Sequence, residues 1–167
     1  MFKSDYSKNS IARANGREGP DTSSWEIKDF LTFRINLLYR LLDRQLKKML
    51  AEHHDLSIAE WRVLGQLATE SPTTVRAIAA KTYMTKSQIS RAAAALVRAA
   101  FAVRRKDALD ERSAVFAITR TGRKKYSSVM QMNRDRQRRL VGQLNPTERR
   151  IMYGAVRRLI DYVRESI

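Results

Sequence analysis

The sequence has 167 residues, and its 33 Lys and Arg against 17 Asp and Glu give a formal net charge of +16. It contains no Cys, which excludes disulfides, thiolate metal sites and cysteine nucleophiles. Its only two histidines, His53 and His54, are adjacent, so on a helix they would point about 100° apart and could not form a metal-binding pair. We therefore predict no metal site and no cofactor.

The sequence also lacks the motifs of common enzymes and of membrane segments. We find no nucleophile–base pair and no Gly-rich phosphate loop, so we predict that the chain is not an enzyme. No stretch approaches the roughly 18 apolar residues of a membrane span, and the N-terminus lacks the apolar run of a signal peptide. The expectation is a soluble cytoplasmic protein without a membrane partner.

The positive charge is concentrated in one part of the chain. Residues 72–125 carry 13 Lys or Arg against 3 Asp or Glu, whereas residues 25–71 carry 7 of each. A DNA duplex carries one negative charge per about 1.7 Å of its axis, and a basic patch that neutralises phosphates releases counterions. The charge distribution therefore predicts a nucleic acid such as double-stranded DNA as the partner, and an anionic membrane or an acidic protein is the alternative.

The N-terminal third is predicted to contain an arm and a long helix. Residues 1–24 are polar and contain two Gly and a Pro, which is typical of an arm rather than a core element. Ser23 and Glu26 form a capping box, and apolar residues at spacings of three and four continue the helical pattern from about residue 25 to about residue 51. A helix of that length is longer than a single small domain can cover, which suggests that a partner subunit packs against it.

The basic segment begins with a helix-turn-helix pattern. A second capping box, Ser57 and Glu60, predicts a helix to about residue 69, and residues 75–81 form a short helix. After a tight turn, Thr85 and Gln88 form a third capping box at the start of a helix with a polar head. The residues predicted to be buried on this last helix are Ile89, Ala93, Leu96, Val97 and Ala100.

The rest of the chain predicts a hairpin followed by two helices. Residues 101–105 and 114–118 are strand-like runs on either side of a charged tip, and helices are predicted over about 119–142 and from the cap at Asn145 and Pro146 onwards. The predicted fold class is mainly α with a small β-hairpin wing, a winged helix-turn-helix plus a helical dimerisation region. Within a regulator domain of 25–167, the DNA-binding part covers about 56–120, and the dimerisation helices cover about 25–53 and 121–167.

Two motifs around the hairpin point to a known family. The run Asp107-Ala108-Leu109-Asp110-Glu111-Arg112 is similar to a D-x-x-D-x-R wing signature, and Ile118-Thr119-Arg120-Thr121-Gly122 is similar to the L-T-x-x-G that follows it, with Ile118 in place of Leu. Over roughly residues 25–165 the chain resembles the MarR family of bacterial transcription regulators. The resemblance implies a two-fold homodimer that is held by its terminal helices, binds a pseudo-palindromic operator and is released by a small ligand.

The polar head of the fourth helix carries the candidate base-reading residues. Gln can pair with adenine and Arg with guanine, although Gln88 has capping as an alternative role and Arg91 has that of a solvated charge. The residues predicted to contact DNA on this helix are Lys86, Ser87, Gln88, Ser90 and Arg91. The small side chains of residues 92–95 are expected to permit close approach to the groove.

The hairpin supplies the remaining predicted DNA contacts. Arg104 and Arg105 are expected to contact phosphates, because charge without a fixed geometry carries no sequence information. Arg112 at the hairpin tip has the length to enter a minor groove, with Asp110 placed to orient it. The alternative for Arg112 is a surface ion pair with that aspartate.

Three residues are candidates for a small anionic or aromatic effector. Trp61 is a core or staple residue on the local pattern, Arg40 can be a snorkelling surface residue, and His54 can have a polar role at a helix end. The segment from Leu56 to Leu64 is similar to the second helix of family members that sense aromatic acids. That resemblance implies Arg40, His54 and Trp61 as the effector-binding group, with Arg40 pairing with a carboxylate.

The sequence as a whole predicts a sequence-specific, DNA-binding transcriptional regulator, most simply a repressor that is released by a small acid. A non-specific architectural DNA-binding protein would explain the net charge equally well, but it would need neither a capped polar recognition head nor a dimer-length first helix. A protein-interaction scaffold with a basic surface would show no salt-sensitive DNA binding.

Overall fold

The structure is a computed structural model that describes residues 21–106 and 114–166. The chain divides into two compact units, Met1–Gln45 and Leu46–Ile167. The elements in chain order are α1 Leu31–His54, α2 Ile58–Thr69, β1 Thr73–Thr74, α3 Val75–Lys81, α4 Lys86–Arg98, β2 Ala102–Lys106, β3 Ala114–Ile118, α5 Arg120–Val141 and α6 Pro146–Glu165. The prediction of a mainly helical fold with a small β-hairpin wing is confirmed.

The first unit starts differently from the sequence-based prediction. The capping box joins Glu26 and Asp29 at a single 3-10 turn, Ile27–Asp29, and Phe30 after it is extended. The predicted box of Ser23 and Glu26 is wrong, because the Ser23 amide donates to the Asp21 carboxylate at 2.9 Å instead. The α-helix therefore begins at Leu31, about six residues later than predicted.

The second unit contains the hydrophobic core. Helix α2 begins at the predicted capping box, with the Ser57 amide donating to the Glu60 carboxylate at 2.8 Å. The side chains of the core come from the end of α1, from α2 to α4, from the hairpin and from α5. They are Leu50, Leu56, Val63, Leu64, Leu67, Ile78, Met84, Ile89, Ala92, Ala93, Leu96, Ala102, Phe116 and Val129. This core holds α4 against α2 and α3 and fixes which of its faces meets solvent.

The sheet has three antiparallel strands in the order β1-β3-β2. The predicted hairpin is confirmed, with Ala102 opposite Ile118 and Lys106 opposite Ala114. The sequence analysis missed β1, a two-residue strand in which Thr73 pairs with Phe116. Two residues are too few to show the alternation of apolar and polar positions by which a strand is recognised.

The residues that join α4, the hairpin and α5 pack unusually closely. Thr119 caps α5, since its hydroxyl accepts from the Gly122 amide at 2.9 Å, and the same hydroxyl donates to the Ala100 carbonyl at 2.7 Å. A Cβ on Gly122 would lie 2.0 Å from the Phe101 carbonyl oxygen. The glycine of the family motif is thus required by close backbone approach, and not by its φ angle, because no described glycine has a positive φ.

The end of α4 corrects one predicted core residue. Ala100 is exposed, with φ at 57°, and occupies the left-handed position of a Schellman motif. Its amide donates to the Val97 carbonyl at 3.0 Å, and the Phe101 amide donates to the Leu96 carbonyl at 2.9 Å. The chain turns out of the helix at Ala100, so its methyl group cannot join the buried face of α4.

The last two helices form close to the predicted bounds. Thr119 and Gly142 cap α5, and Asn145 caps α6 with Pro146 in its first turn. Helix α6 carries several large apolar side chains that are exposed, with Ile160 45% and Val163 55% accessible. Among residues 21–106 and 114–166, no helix is both long and apolar enough to cross a membrane.

Candidate nucleic-acid interface

Helix α4 presents a polar surface because most of its apolar side packs against the core, with Val97 only partly buried. Ile89, Ala93 and Leu96 are buried, and the predicted DNA-contacting residues at positions 86, 87, 88, 90 and 91 are all exposed. The expectation that residues 92–95 face the DNA groove is wrong for Ala92 and Ala93, which lie in the core. Close approach is therefore possible at Ala94, which is exposed.

Gln88 is committed to the helix cap. Its side-chain oxygen accepts from the Thr85 amide at 2.9 Å and from the Thr85 hydroxyl at 3.2 Å. Bidentate pairing with adenine needs that same oxygen together with the amide nitrogen. While the cap is intact, Gln88 can donate from its amide nitrogen but cannot form the bidentate pair.

The exposed surface of α4 consists of two rows. Lys86, Ser90, Ala94 and Arg98 follow one another at intervals of four residues and form what we call the groove row. Ser87 and Arg91, also four residues apart, form the outer row. The predicted contacts of α4 therefore do not share one face, because Lys86 and Ser90 lie in one row and Arg91 in the other.

The groove row forms one wall of a basic groove of about 710 Å³. The opposite walls come from the start of α3 and from the inner side of the hairpin. The groove is lined by Thr74, Val75, Arg76, Lys86, Ser90, Ala94, Val97, Arg98, Arg104, Ala114 and Phe116. Four of these residues are cationic and none is acidic, so the lining favours anions.

The two predicted phosphate contacts of the hairpin lie on opposite faces of the sheet. Arg104 is paired in register with the buried Phe116 and lines the groove. Arg105 is paired with Val115 and, because side chains alternate along a strand, points to the other face. Arg112, and Asp110 that was predicted to orient it, lie outside the described residues.

A comparison with protein-family models explains this arrangement. Residues 54–113 match the model described as "MarR family". The resemblance to the MarR family is confirmed. MarR-family proteins are transcription regulators and not enzymes, so the prediction of a non-enzymatic regulator is confirmed as well.

Solved structures of MarR-family proteins share the fold of this chain. One is a MarR/EmrR family regulator from Acinetobacter sp. ADP1, with a TM-score of 0.70 and 19% identity, covering 84% of this chain and 99% of that one. Another is a complex of MepR from Staphylococcus aureus with DNA, with a TM-score of 0.68 and 18% identity, covering 83% of this chain and 99% of that one. A third is BpsR from Bordetella bronchiseptica, whose DNA binding is regulated by 6-hydroxynicotinic acid. Its TM-score is 0.71 and its identity 16%, and the match covers 82% of this chain and 97% of that one. No curated protein matches the chain.

Two of the three predicted effector residues lie in the second unit. Trp61 on α2 stacks on Tyr126 of α5, with ring centroids 5.4 Å apart and an interplanar angle of 21°. Tyr126 covers one face of the indole, so a ligand ring could stack only on the other. Arg40 belongs to the first unit, where it lines a groove together with Phe33 and Leu37.

His54, at the end of α1, is held in its neutral form. Desolvation by burial, then the charge of Lys125 and then that of His53 lower the pKa of His54 below its usual value of 6.5. At pH 7 the imidazole is neutral and can offer a hydrogen bond but no positive charge. A carboxylate must therefore find its cationic partner elsewhere.

The sequence analysis missed several residues of this surface. Arg76 and Arg98 line the basic groove but stand outside the predicted recognition head and hairpin. The contact of Tyr126 with Trp61 was also missed, because no local pattern shows that residues on two different helices meet. Tyr83, in the turn before α4, is fully exposed, which is uncommon for a large aromatic side chain.

Proposed function

We propose that this MarR-family chain is a homodimeric, sequence-specific DNA-binding repressor in the cytoplasm, released from its operator by a small aromatic or otherwise anionic acid. The observation that carries this proposal is helix α4, whose polar head is capped and exposed while Ile89, Ala93 and Leu96 are buried in the core. A recognition helix needs this arrangement, since its first turns must reach base edges while the core fixes its orientation.

Within the proposed interface, the outer row reads bases and the groove row meets the backbone. Arg91 is exposed and has the guanidinium geometry for bidentate contact with guanine. Arg105 projects from the opposite face of the hairpin and supplies charge to phosphates. Arg112 is proposed for the minor groove.

Homodimerisation is proposed because both ends of the described chain expose large apolar side chains. The first unit exposes Phe33, Leu37, Leu38 and Leu41, and α6 exposes Ile151, Tyr153, Leu159, Ile160, Tyr162 and Val163. Apolar surface on this scale marks an interaction site. A second copy of the chain would cover it and would place two recognition helices on successive major grooves, about 10 base pairs apart.

Release by a small acid is proposed from three residues and one relative. Arg40 would pair with the carboxylate, the indole face that Tyr126 does not cover would contact the ring, and neutral His54 would donate a hydrogen bond. The regulation of BpsR by 6-hydroxynicotinic acid, an aromatic acid, supports this class of ligand. The ligand releases DNA only if it binds better to a protein conformation that does not fit successive major grooves.

The experiment that tests DNA reading selects duplexes from a random pool and measures their affinity by fluorescence anisotropy. Arg91→Ala should cost about 1 to 3 kcal/mol on the selected site and relax the preference at one base pair, whereas Arg105→Ala should weaken all sequences alike. Identical sequence profiles for the two variants would refute the proposed recognition face. Equal affinity of the wild type for all duplexes would instead indicate a non-specific architectural protein.

Dimerisation and effector release need separate measurements. Sedimentation should show a dimer for the wild type, a weaker dimer for Ile160→Glu and an unchanged dimer for the control Tyr83→Glu, which changes an exposed residue outside the dimerisation helices. A monomeric wild type would refute the dimer. Substituted benzoates should release the operator and raise the melting temperature, with weaker binding to Arg40→Ala. If no such acid binds, the effector proposal fails while the DNA-binding proposal stands, because the two depend on different residues.

A further inference from the structure

The exposed ring of Tyr83 has no role in the interface described so far. Among the described residues 46–106 and 114–145, the large apolar side chains that are exposed are Tyr83, which is fully accessible, and Val103, which is 36% accessible. We propose that the Tyr83 ring contacts the C5-methyl group of a thymine in the major groove and is thereby a second residue that determines the sequence of the operator. This inference rests on the proposed function, because it requires that α4 enters the major groove.

The first argument is that the structure holds the backbone of Tyr83 in place on both sides. On one side, the Thr82 hydroxyl donates to the Ile78 carbonyl at 2.9 Å. On the other side, Met84 is buried in the core and Thr85 caps α4. Only the ring between these anchors lies in solvent. Because a tyrosine side chain has two χ angles, a ring on a fixed backbone loses little conformational freedom when it makes a contact.

The second argument is the position of Tyr83 at the end of α4 that meets base edges. The N-terminal residues of a recognition helix contact the bases, and Tyr83 lies two residues before the N-cap of α4. Lys86, the first residue of α4, is separated from Arg91 by about 7.5 Å along the helix axis. That distance exceeds two base-pair steps of about 3.4 Å each. Tyr83 therefore meets a different base pair from the one that Arg91 reads.

The third argument is the chemistry of the ring. Base edges in the major groove carry hydrogen-bond donors, acceptors and one apolar group, the C5-methyl of thymine. A ring that is exposed to water gains free energy when it covers this methyl group. A phosphate contact would use only the phenol hydroxyl and would leave the ring in water. Burying one methyl group corresponds to an increase in affinity of about fourfold.

The test replaces each thymine of the selected duplex in turn by deoxyuridine, which lacks only the C5-methyl group, and measures affinity by fluorescence anisotropy. At one thymine in each half-site, the wild type should lose about fourfold in affinity. Tyr83→Ala should bind the thymine and deoxyuridine duplexes equally, and the conservative variant Tyr83→Phe should retain the difference. The control Arg105→Ala should weaken both duplexes and also retain the difference. Melting temperatures should verify that all variants fold.

Three outcomes would overturn the inference. The first is a wild type that is insensitive to deoxyuridine at every thymine, and the second is a sensitivity that persists in Tyr83→Ala. The third is a Tyr83→Phe variant that weakens all duplexes as much as Tyr83→Ala does, since the hydroxyl would then contact a phosphate and the ring would read no base. A wild type that selects no duplex would refute the proposed sequence-specific function itself, whereas a selected site without a Tyr83-dependent thymine would refute this inference alone.

Discussion

Gly122→Ala should destabilise the protein because the added methyl group has no space. The new Cβ would lie 2.0 Å from the Phe101 carbonyl oxygen and 2.9 Å from Cγ1 of Ile118. The carbonyl cannot withdraw freely, since it accepts from the Thr119 amide at 3.1 Å, and the preceding carbonyl of Ala100 accepts from the Thr119 hydroxyl. Relieving the clash therefore requires a backbone shift of about 1 Å where the hairpin meets α5.

The magnitude follows from three opposing contributions. Overpacking in a tightly packed region costs about 1 to 3 kcal/mol. Weakening one backbone hydrogen bond costs about 1 kcal/mol, and the higher helix propensity of Ala returns up to about 1 kcal/mol. We expect a net loss of about 2 kcal/mol, which for a chain of this size lowers the melting temperature by about 4 to 8 °C.

Thermal and urea unfolding monitored by circular dichroism measure this loss. The matched control is Gly65→Ala in the middle of α2, where a Cβ would meet nothing within 4 Å. The same substitution should stabilise the protein there by about 0.5 to 1 kcal/mol. If Gly122→Ala proves as stable as the wild type, the close approach at Phe101 does not constrain the fold and the reasoning fails.

Two further predictions concern local backbone conformation and protonation. Ala100→Gly should stabilise the protein by about 0.5 to 1 kcal/mol in urea unfolding, because Ala100 has a positive φ that Gly adopts without strain, and a loss of stability would contradict the Schellman assignment. His54 should titrate below 6.5 by NMR, and Lys125→Gln should raise its pKa by removing a nearby positive charge; a pKa at or above 6.5 would refute the burial argument. Because the folded state disfavours the protonated form of His54, the free energy of unfolding should decrease as the pH falls from 6.5 through the lower pKa of the folded state. His54→Gln should remove this part of the pH dependence of stability.

The sequence predicts the elements of this fold well where a local signal marks each boundary. The capping boxes at Ser57 and Thr85 and the Pro146 start of α6 are all found in the structure, since a cap satisfies backbone groups with side chains only three residues away. The predicted capping box of Ser23 and Glu26 does not form, because Glu26 also belongs to an overlapping box with Asp29. The residue types alone do not show which of the two boxes forms.

The parts of the site that escaped prediction depend on contacts between distant residues. Arg76 and Arg98 are 22 positions apart, and only the packing of α3 on α4 brings them into one groove. The stack of Trp61 on Tyr126 joins residues 65 positions apart in the same way. Residue type and local spacing predicted the capped polar head of α4, whereas the groove beside it exists only in the folded chain.

The two rows of α4 separate two requirements that a recognition helix must meet at once. Base reading needs a side chain of fixed geometry with free hydrogen-bonding groups. Arg91 is exposed and keeps its donors, whereas the cap occupies the acceptor oxygen of Gln88. Holding the duplex needs only charge and reach, which the groove row shares with α3 and β2. Because the shared groove draws on three elements, a small shift of the hairpin against α4 would change how the strand is held without altering Arg91. Under the proposed function, we therefore expect a substitution at Gly122, where the hairpin meets α5, to change DNA affinity more than sequence preference.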